Sequence, residues 1–311
     1  MKIYSFIDEF YSFYPCVFTL GVFDGVHTGH KKVIQNLIFK AKKKYCIVLL
    51  TFYPHPKEIL NPDKKLFYLN TLSERICNLK KMGIEHLIIH PFTVKFSKLS
   101  TKDFFKRILY PKFKIKKIII GHDSHIGKNR NGNFKNLKIL SKIHGFDIYK
   151  VYPHKLKKKI VSSTEIRKSL LLGDIKWANQ ALGYFYTLSG NIIKGKGLGR
   201  KINFPTANIQ IDSKKLIPKK GVYAVKINYL DQIYKGMLNI GVNPTIESSN
   251  KKIKIEVHIF NFLKNIYGKK IDVLIFQLIR EEKKFNTLQE LKNQIFEDQK
   301  NIKTFFKKKM F

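Results

Sequence analysis

Two histidines flank a threonine and a glycine, His27-Thr28-Gly29-His30, within the stretch "LGVFDGVHTGHKKVIQ" (20–35). The residues before them are apolar and break at Gly21 and at Asp24-Gly25; those after them favour a helix. A strand handing over to a helix here sets His30 in the first helical turn. Gly25 allows a tight turn and Gly29 a close backbone approach. Unpaired amides and the positive end of the helix dipole converge at such a start, which suits an anion. Imidazoles beside it can hydrogen-bond phosphate oxygens without acting as nucleophiles. Moving a phosphoryl or nucleotidyl group mainly requires positioning and stabilisation of spreading negative charge. The same pattern is also compatible with two incidental histidines or a metal pair, although no carboxylate or third ligand is evidently placed.

Three further stretches bear on that choice. "TFYPHP" (51–56) leaves the second strand at the same sheet edge, its loop stiffened by Pro54 and Pro56 and carrying His55. "GHDSHIGKNRNG" (121–132) supplies Asp123, Asn129 and Arg130 in a glycine-punctuated loop, suited to a base, a ribose or an acceptor. "VSSTEIRKSL" (161–170) reads as a helix start, with Ser162 and Glu165 spaced as a capping box and Arg167 in the first turn, where a triphosphate could lie. Plain capping accounts equally well for Ser162.

A second dense stretch is "SGNIIKGKGLGRKINFPTAN" (189–208). Gly195, Gly197 and Gly199, interleaved with Lys194, Lys196 and Arg200, make a cationic loop whose amides can cradle phosphates. It is neither a Walker A loop nor a dinucleotide fingerprint, because no Gly-Lys-Ser/Thr ends it and its surroundings read as β-sheet. A glycine loop between strands is often only a turn. Here, however, Pro205 fixes the backbone beyond it, and Thr206 and Asn208 present oxygens on one side, hard ligands that suit Mg²⁺ carrying a nucleotide. In "KIEVHIF" (254–260) Ile255, Val257 and Ile259 point one way and Glu256 and His258 the other. Glu256 is then either an ordinary solvent-facing carboxylate or the group that accepts a hydroxyl proton during phosphoryl transfer to an alcohol.

The elements that must position these residues follow two grammars. Up to about residue 182, nearly continuous apolar runs (16–21, 46–52, 86–90, 116–121, 146–151) alternate with helical patterns (29–44, 71–83, 100–109, 134–144). That alternation predicts a Rossmann-like, doubly wound parallel α/β sheet with ligands at the carboxyl ends of its strands. From about 183, strands follow strands (184–194, 221–230, 233–241, 254–262, 271–280), with a hairpin turn in "YLDQIY" (229–234), predicting an antiparallel sheet or small barrel. Leu288, Leu291, Ile295, Ile302 and Phe305 recur at helical spacing and predict a closing amphipathic helix. Expected domains are therefore 1–182 and 183–311.

The 311 residues, 44% of them hydrophobic, suffice for two cores. The net charge of +38, from 60 Lys+Arg against 22 Asp+Glu, favours polyanions. Yet the lysine runs at 40–44, 155–159 and 307–309 are scattered and build no single stripe, as solvated faces do. Three widely spaced cysteines without a C-x-x-C argue against a disulfide framework or a zinc site. The opening "MKIYSFIDEF" is no signal peptide, and no apolar run approaches a membrane span. A cytoplasmic protein is expected.

In order and spacing, "GVFDGVHTGHKKVI", "TFYPHP", "GHDSHIGKNRNG" and "SSTEIR" resemble the adenylyltransferase half of the prokaryotic bifunctional riboflavin kinase/FAD synthetase family. "GKGLGRKINFPTAN", "GVYAV", "NIGVNPT", "EVHIFNF", "IYGKKIDV" and "IREEKKF" resemble its riboflavin kinase half, so the resemblance covers nearly the whole chain. It implies a six-stranded antiparallel barrel for the second half. It also implies two reactions: riboflavin and ATP give FMN and ADP, then FMN and ATP give FAD and pyrophosphate, both with Mg²⁺. By the same resemblance Gly21, Phe23, Asp24, Gly29, His27 and His30 would meet the ATP phosphates, which Ser163, Thr164 and Arg167 would clasp. Asp123 and Asn129 would lie at the nucleotide or flavin. In the second half Gly195 to Arg200 would hold phosphates, Thr206 and Asn208 the Mg²⁺, and Arg280 and Glu282 the flavin, with Glu256 as general base. The family's third motif usually reads Asp-Phe-Arg-Phe-Gly; here it reads Asp123-Ser124-His125-Ile126-Gly127.

The partners implied are ATP, riboflavin and FMN, with no nucleic acid or membrane, and the oligomeric state is left open. Two rivals differ in what they leave unused. Another nucleotidyltransferase, acting on pantetheine phosphate or nicotinamide mononucleotide, accounts for H-x-G-H but leaves the second half idle. A basic nucleic-acid-binding protein predicts aromatics clustered with base, whereas here they are spread throughout.

Overall fold

The computed structural model describes residues 1–124, 126–128, 131–195, 199, 204–242 and 253–308. The chain divides into two compact units, Met1–Ser163 and Thr164–Phe311.

In the first unit, six strands among the described residues form one parallel sheet: β1 (Lys2–Tyr4), β2 (Cys16–Leu20), β3 (Cys46–Phe52), β4 (His86–His90), β5 (Ile115–Gly121) and β6 (Asp147–Val151). Their order is β1-β4-β3-β2-β5-β6. The apolar runs are continuous because both faces are covered. Cys16, Phe18, Leu20, Val48, Leu50, Ile118 and Ile120 enter one core, while Val17, Ile47, Leu49, Leu87 and Ile119 enter the other. Helix α1 (Thr28–Ala41) lays Val33, Ile34 and Leu37 on the second face; helix Phe134–His144 lays Leu137 on the first. The sheet is thus doubly wound, as expected, and its order reverses between β2 and β5. Ligands bind such sheets beyond the strand carboxyl ends at this switch point.

Differences from the expected elements have local causes. α1 stops at Ala41 rather than 44 because Lys42 and Lys43 adopt left-handed backbone (φ 49° and 55°). The helix after residue 71 runs Leu72–Lys80, started by a capping box of Thr71 and Glu74. β1 is too short to leave a periodic signal, as are the two-residue strands β7 (Lys155–Leu156) and β8 (Lys159–Ile160), which pair with each other.

In the second unit, β9 (Thr187–Ile193), β10 (Ala207–Ile211), β11 (Gly221–Tyr229), β12 (Gln232–Val242), β13 (Ile253–Ile259) and β14 (Lys270–Glu281) close a six-stranded antiparallel barrel in the order β10-β13-β12-β11-β14-β9. The hairpin expected at 229–234 turns on Leu230 and Asp231, both at positive φ, as the favoured two-residue turn requires. β10 escapes the sequence pattern; it is short and begins just after the Pro205 loop. Along β11, Val222 and Ala224 turn to the closing helix Leu288–Lys308, and the alternate Tyr223, Val225 and Ile227 are buried on the opposite side. Ile302 and Phe306 anchor that helix, whereas Leu288, counted in its apolar stripe from sequence, is exposed. Helices Ser163–Leu172 and Ile175–Leu182 bond to this unit: Lys219 N donates to Leu170 O, and Asn179 Nδ2 to Ile275 O.

Candidate functional site

Each unit gathers one constellation. In the first, β2 ends at Leu20 and the chain turns through Phe23 (φ 53°) and Gly25 (φ 85°) into α1. His27 is the cap of α1: its Nδ1 accepts the His30 amide at 3.2 Å, a task usually left to Ser, Thr or Asp. His27 and His30 stack with ring centroids 3.6 Å apart and planes 14° from parallel, and Phe23 packs on His30 at 5.0 Å. Gly29 is needed here, because a Cβ would lie 3.1 Å from the His27 ring. A Cβ at Gly21 would likewise press on the Phe23 ring at 3.1 Å.

Both imidazoles are held neutral. Burial draws His27 down to about 4, opposed in part by Asp123 and Asp24. Burial, His27 and Arg75 hold His30 well below the ordinary range. A neutral His27 that accepts at Nδ1 carries its proton on Nε2, so it offers a donor rather than a charge. His30 Nδ1 is buried without a hydrogen-bond partner among the described residues. The pairing of β2 with β5 sets the loop after β5, which carries Asp123, beside the loop after β2 at the switch point. The carboxylate of Asp24 accepts the amides of Leu69 and Asn70 at 3.1 Å and faces the fully buried Arg75 at 4.0 Å. Arg75 also donates to Phe52 O, so the loops after β2 and β3 share one anchor. In the latter loop, His55 caps the helix Pro56–Leu60 by accepting the Lys57 amide at 2.9 Å. The Ser163 hydroxyl donates to Asp24 O at 2.8 Å. Thr164 and Arg167 belong to the second unit; Arg167 is the fifth residue of its helix, one turn deeper than its spacing suggests. Asn129 lies outside the described residues.

The neutrality of His27 sets a pH dependence. Unfolded, it titrates near 6.5, so the unfolded chain takes up the proton first and stability rises with pH. The contribution is complete above about pH 6.5 and is lost as pH falls toward 4, with about 3 kcal/mol at stake once both forms are protonated. Urea unfolding of the first unit, followed between about pH 7 and pH 5, should show this loss, and His27→Gln should reduce it, the buried His30 contributing in the same direction.

In the second unit β10 and β13 pair so that Asn208 stands opposite Glu256. Thr206 Oγ1 lies 3.5 Å from Glu256 Oε1, and Lys254 Nζ lies 2.7 Å from the same oxygen. His258 Nδ1 meets Pro205 O at 2.7 Å and ties the loop to the strand. A Cβ at Gly195 would overlap the Asn208 amide at 2.0 Å, and one at Gly199 would lie 2.3 Å from Phe204 O. Gly195, Gly199, Thr206, Asn208 and Glu256 are thus neighbours; Gly197 and Arg200 lie outside the described residues. Arg280 donates its Nε to Asp298 of the closing helix at 2.9 Å and 3.0 Å, while Glu282 accepts the Val242 amide at 2.9 Å.

Sequence reasoning missed Arg75, Lys254 and Asp298. Asp298 had a signal: it interrupts the apolar stripe between Ile295 and Ile302, where a carboxylate needs a buried partner. Arg75 had a similar one, four residues before buried Leu79. Lys254 had none beyond sharing a strand face with Glu256.

Residues 11–165 match the family model for FAD synthetase and residues 182–306 that for riboflavin kinase. A bifunctional riboflavin kinase/FMN adenylyltransferase of Buchnera aphidicola subsp. Schizaphis graminum is 40% identical over 292 residues, covering 93% of each chain. The chain belongs to the bifunctional riboflavin kinase/FMN adenylyltransferase family. The enzyme of that description from Escherichia coli K12 is 33% identical over 293 residues, covering 94% of this chain and 93% of its own. A solved Streptococcus pneumoniae structure, described as a macrolide-efflux protein, shares the fold with a TM-score of 0.88 at 29% identity, covering 97% of this chain and 98% of its own. No helix among the described residues is long and apolar enough to cross a membrane. This member of the flavin family therefore carries two transferase activities, riboflavin phosphorylation in the C-terminal part and adenylyl transfer to FMN in the N-terminal part.

Proposed function

We propose that each constellation performs one of these steps with its own side chains, the product of the second unit serving as substrate for the first. The reading rests on one observation: the two constellations are separately complete in their cores, His27 with His30 in one unit and Thr206, Asn208 and Glu256 in the other.

In the second unit Glu256 accepts the proton of the ribityl 5′-hydroxyl as its oxygen attacks the terminal phosphorus of ATP. Gly195 lets the phosphate loop approach Asn208 and Gly199 lets it approach Phe204 and Thr206, so that one ATP can meet both sides; Gly197 and Arg200 are assigned to the same phosphates. Thr206 and Asn208 would hold Mg²⁺ brought by the nucleotide. Their hydroxyl and amide oxygens are hard donors beside a carboxylate, which fits that ion. Among the described residues no cluster of His, Cys, Asp and Glu could hold a metal alone, in keeping with an ion carried by its substrate. When bound, Mg²⁺ offsets phosphate charge. Arg280, fixed by Asp298, and Glu282, fixed on β12, border the flavin.

In the first unit an FMN phosphate oxygen attacks the α-phosphorus of ATP and pyrophosphate leaves. Gly21, Phe23, Asp24 and Gly29 shape the loop that receives the phosphates, and His27 and His30 donate hydrogen bonds to them. Ser163, whose hydroxyl donates to Asp24 O, adds to the phosphate contacts. Asp123 faces the nucleotide or flavin, a role that the family resemblance also gives Asn129. The catalytic domains are taken as 1–182 and 183–311, supported by the riboflavin kinase match beginning at residue 182. The two helices that precede this boundary, Ser163–Leu172 and Ile175–Leu182, bond to the barrel. Small molecules are the partners, without nucleic acid or membrane, and the setting is the cytoplasm, in keeping with three free cysteines.

Chromatography of products from riboflavin, ATP and Mg²⁺ tests the reading. FMN should appear first and FAD after it, FMN alone should yield FAD and pyrophosphate, and chelation of Mg²⁺ should stop both. FMN without FAD would remove the first unit's assignment. A separate prediction probes the loop: Gly195→Ala forces a Cβ into the Asn208 amide. It should lower riboflavin phosphorylation roughly 10²-fold, as a misplacement of about 1 Å does, and leave FAD formation from FMN unchanged. Separate assays of the two steps check this.

A further inference from the structure

Cys16 and Cys46 open β2 and β3 and are register partners across that parallel pair. Adjacent strands run about 4.7–4.9 Å apart, within the roughly 4.4–6.8 Å between Cα atoms that a disulfide spans. Both side chains belong to the same core on one face of the sheet. Cys16 sits at the point where the β2–β5 register shifts, so its backbone is not locked into an unbroken ladder there. All three cysteines of the chain are free thiols.

The two sulfurs differ in access and surroundings. Cys16 is fully buried and its Sγ meets Phe113 O at 3.2 Å. Cys46 is half-buried, 3.4 Å from Ser12 Oγ, at the rim made by the exposed Phe13 and Tyr14. Hydrogen bonding with Cys16 draws the Cys46 thiol down to about 7, helped by Ser12 and opposed by burial. A thiol that titrates near ambient pH is the best placed to attack a disulfide. Lys43 and Lys44 precede Cys46 in the chain and Lys114 Nζ bonds Phe13 O at 3.1 Å, which favours an anionic reagent, while the Glu85 carboxylate, accepting the Ile47 amide at 2.9 Å, opposes it.

We propose that Cys46 is a thiol–disulfide exchange site for small anionic disulfides and that Cys16 resolves the adduct, leaving a Cys16–Cys46 cross-strand disulfide. The Cys46 thiolate attacks one sulfur of oxidised glutathione, forming a mixed disulfide and expelling a glutathione thiolate. Cys16 then attacks the Cys46 sulfur and expels the second thiolate, which takes up the Cys16 proton. Two protein thiols are oxidised and one glutathione disulfide is reduced to two thiols. Hydrogen bonding with Cys46 is the largest cause that raises the Cys16 thiol, and it disappears once Cys46 is in the mixed disulfide. The product closes the chain from residue 16 to 46 around α1 and its two histidines.

The test uses the full chain carrying Cys77→Ser, treated with oxidised glutathione at neutral pH and followed by intact mass and peptide mapping. The expected product lacks two hydrogens, retains no glutathione, joins the Cys16 and Cys46 peptides, melts at higher temperature and is reversed by a reductant. Cys16→Ser should trap glutathione on Cys46, and Cys16→Ala should slow alkylation of Cys46 several-fold at neutral pH. Cys46→Ser should leave Cys16 unmodified. A stable glutathione adduct on Cys46 with Cys16 present, a disulfide between two chains, or no reaction at Cys46 would each overturn the proposal.

Discussion

Glu256→Gln is expected to cut FMN formation from riboflavin by about 10²–10⁴-fold, the usual worth of a positioned base, while FMN-to-FAD conversion continues undiminished. Glutamine keeps the volume and one oxygen of the side chain, so Thr206 retains an acceptor and the strand pair with Asn208 is undisturbed. What is lost is the basicity that takes the hydroxyl proton. The ion pair with Lys254 is lost too, but it is partly exposed and contributes little to stability. Unchanged melting alongside the lost first step therefore assigns the effect to chemistry. Spectrophotometric assays of the two conversions, each started from its own substrate, check it. A variant that silences both while folded would mean the two steps share a site.

His30→Ala is expected to do the reverse, lowering FAD formation by about 10²–10³-fold, the scale for removing one donor aimed at developing charge, with riboflavin phosphorylation intact. His30 is neutral and half-buried, its Nδ1 is without a hydrogen-bond partner among the described residues, and its ring is held between His27 and Phe23. Because His27 is itself neutral, the loss should appear mainly in kcat and be insensitive to pH between about 7 and 8, far above either imidazole's titration. A strong pH dependence in that window would show that an imidazolium, not an imidazole, does the work.

Some of the site was legible from residue types. His27-x-Gly29-His30 at a strand–helix junction, Thr206 just before β10, Asn208 on it and Glu256 on β13 each carried a local signal: a glycine where the backbone must turn, an alternation that sets Glu256 against the core. The glycines at 195 and 199 were legible as a loop, but not as the gap into which the Asn208 amide fits. Arg280 was read as a flavin neighbour, whereas its guanidinium is also the partner of a buried carboxylate on the closing helix.

By itself the sequence determined the types of the longer elements and the family, because periodicity, caps and motif residues are properties of short stretches. Tertiary structure alone decided that β2 lies beside β5, so that the Asp123 loop faces His27, and that Asn208 stands opposite Glu256. It also decided that His27 and His30 are neutral. The reason is physical: one apolar strand pattern suits any neighbour, and a titration is set by burial and by charges arriving from distant parts of the chain.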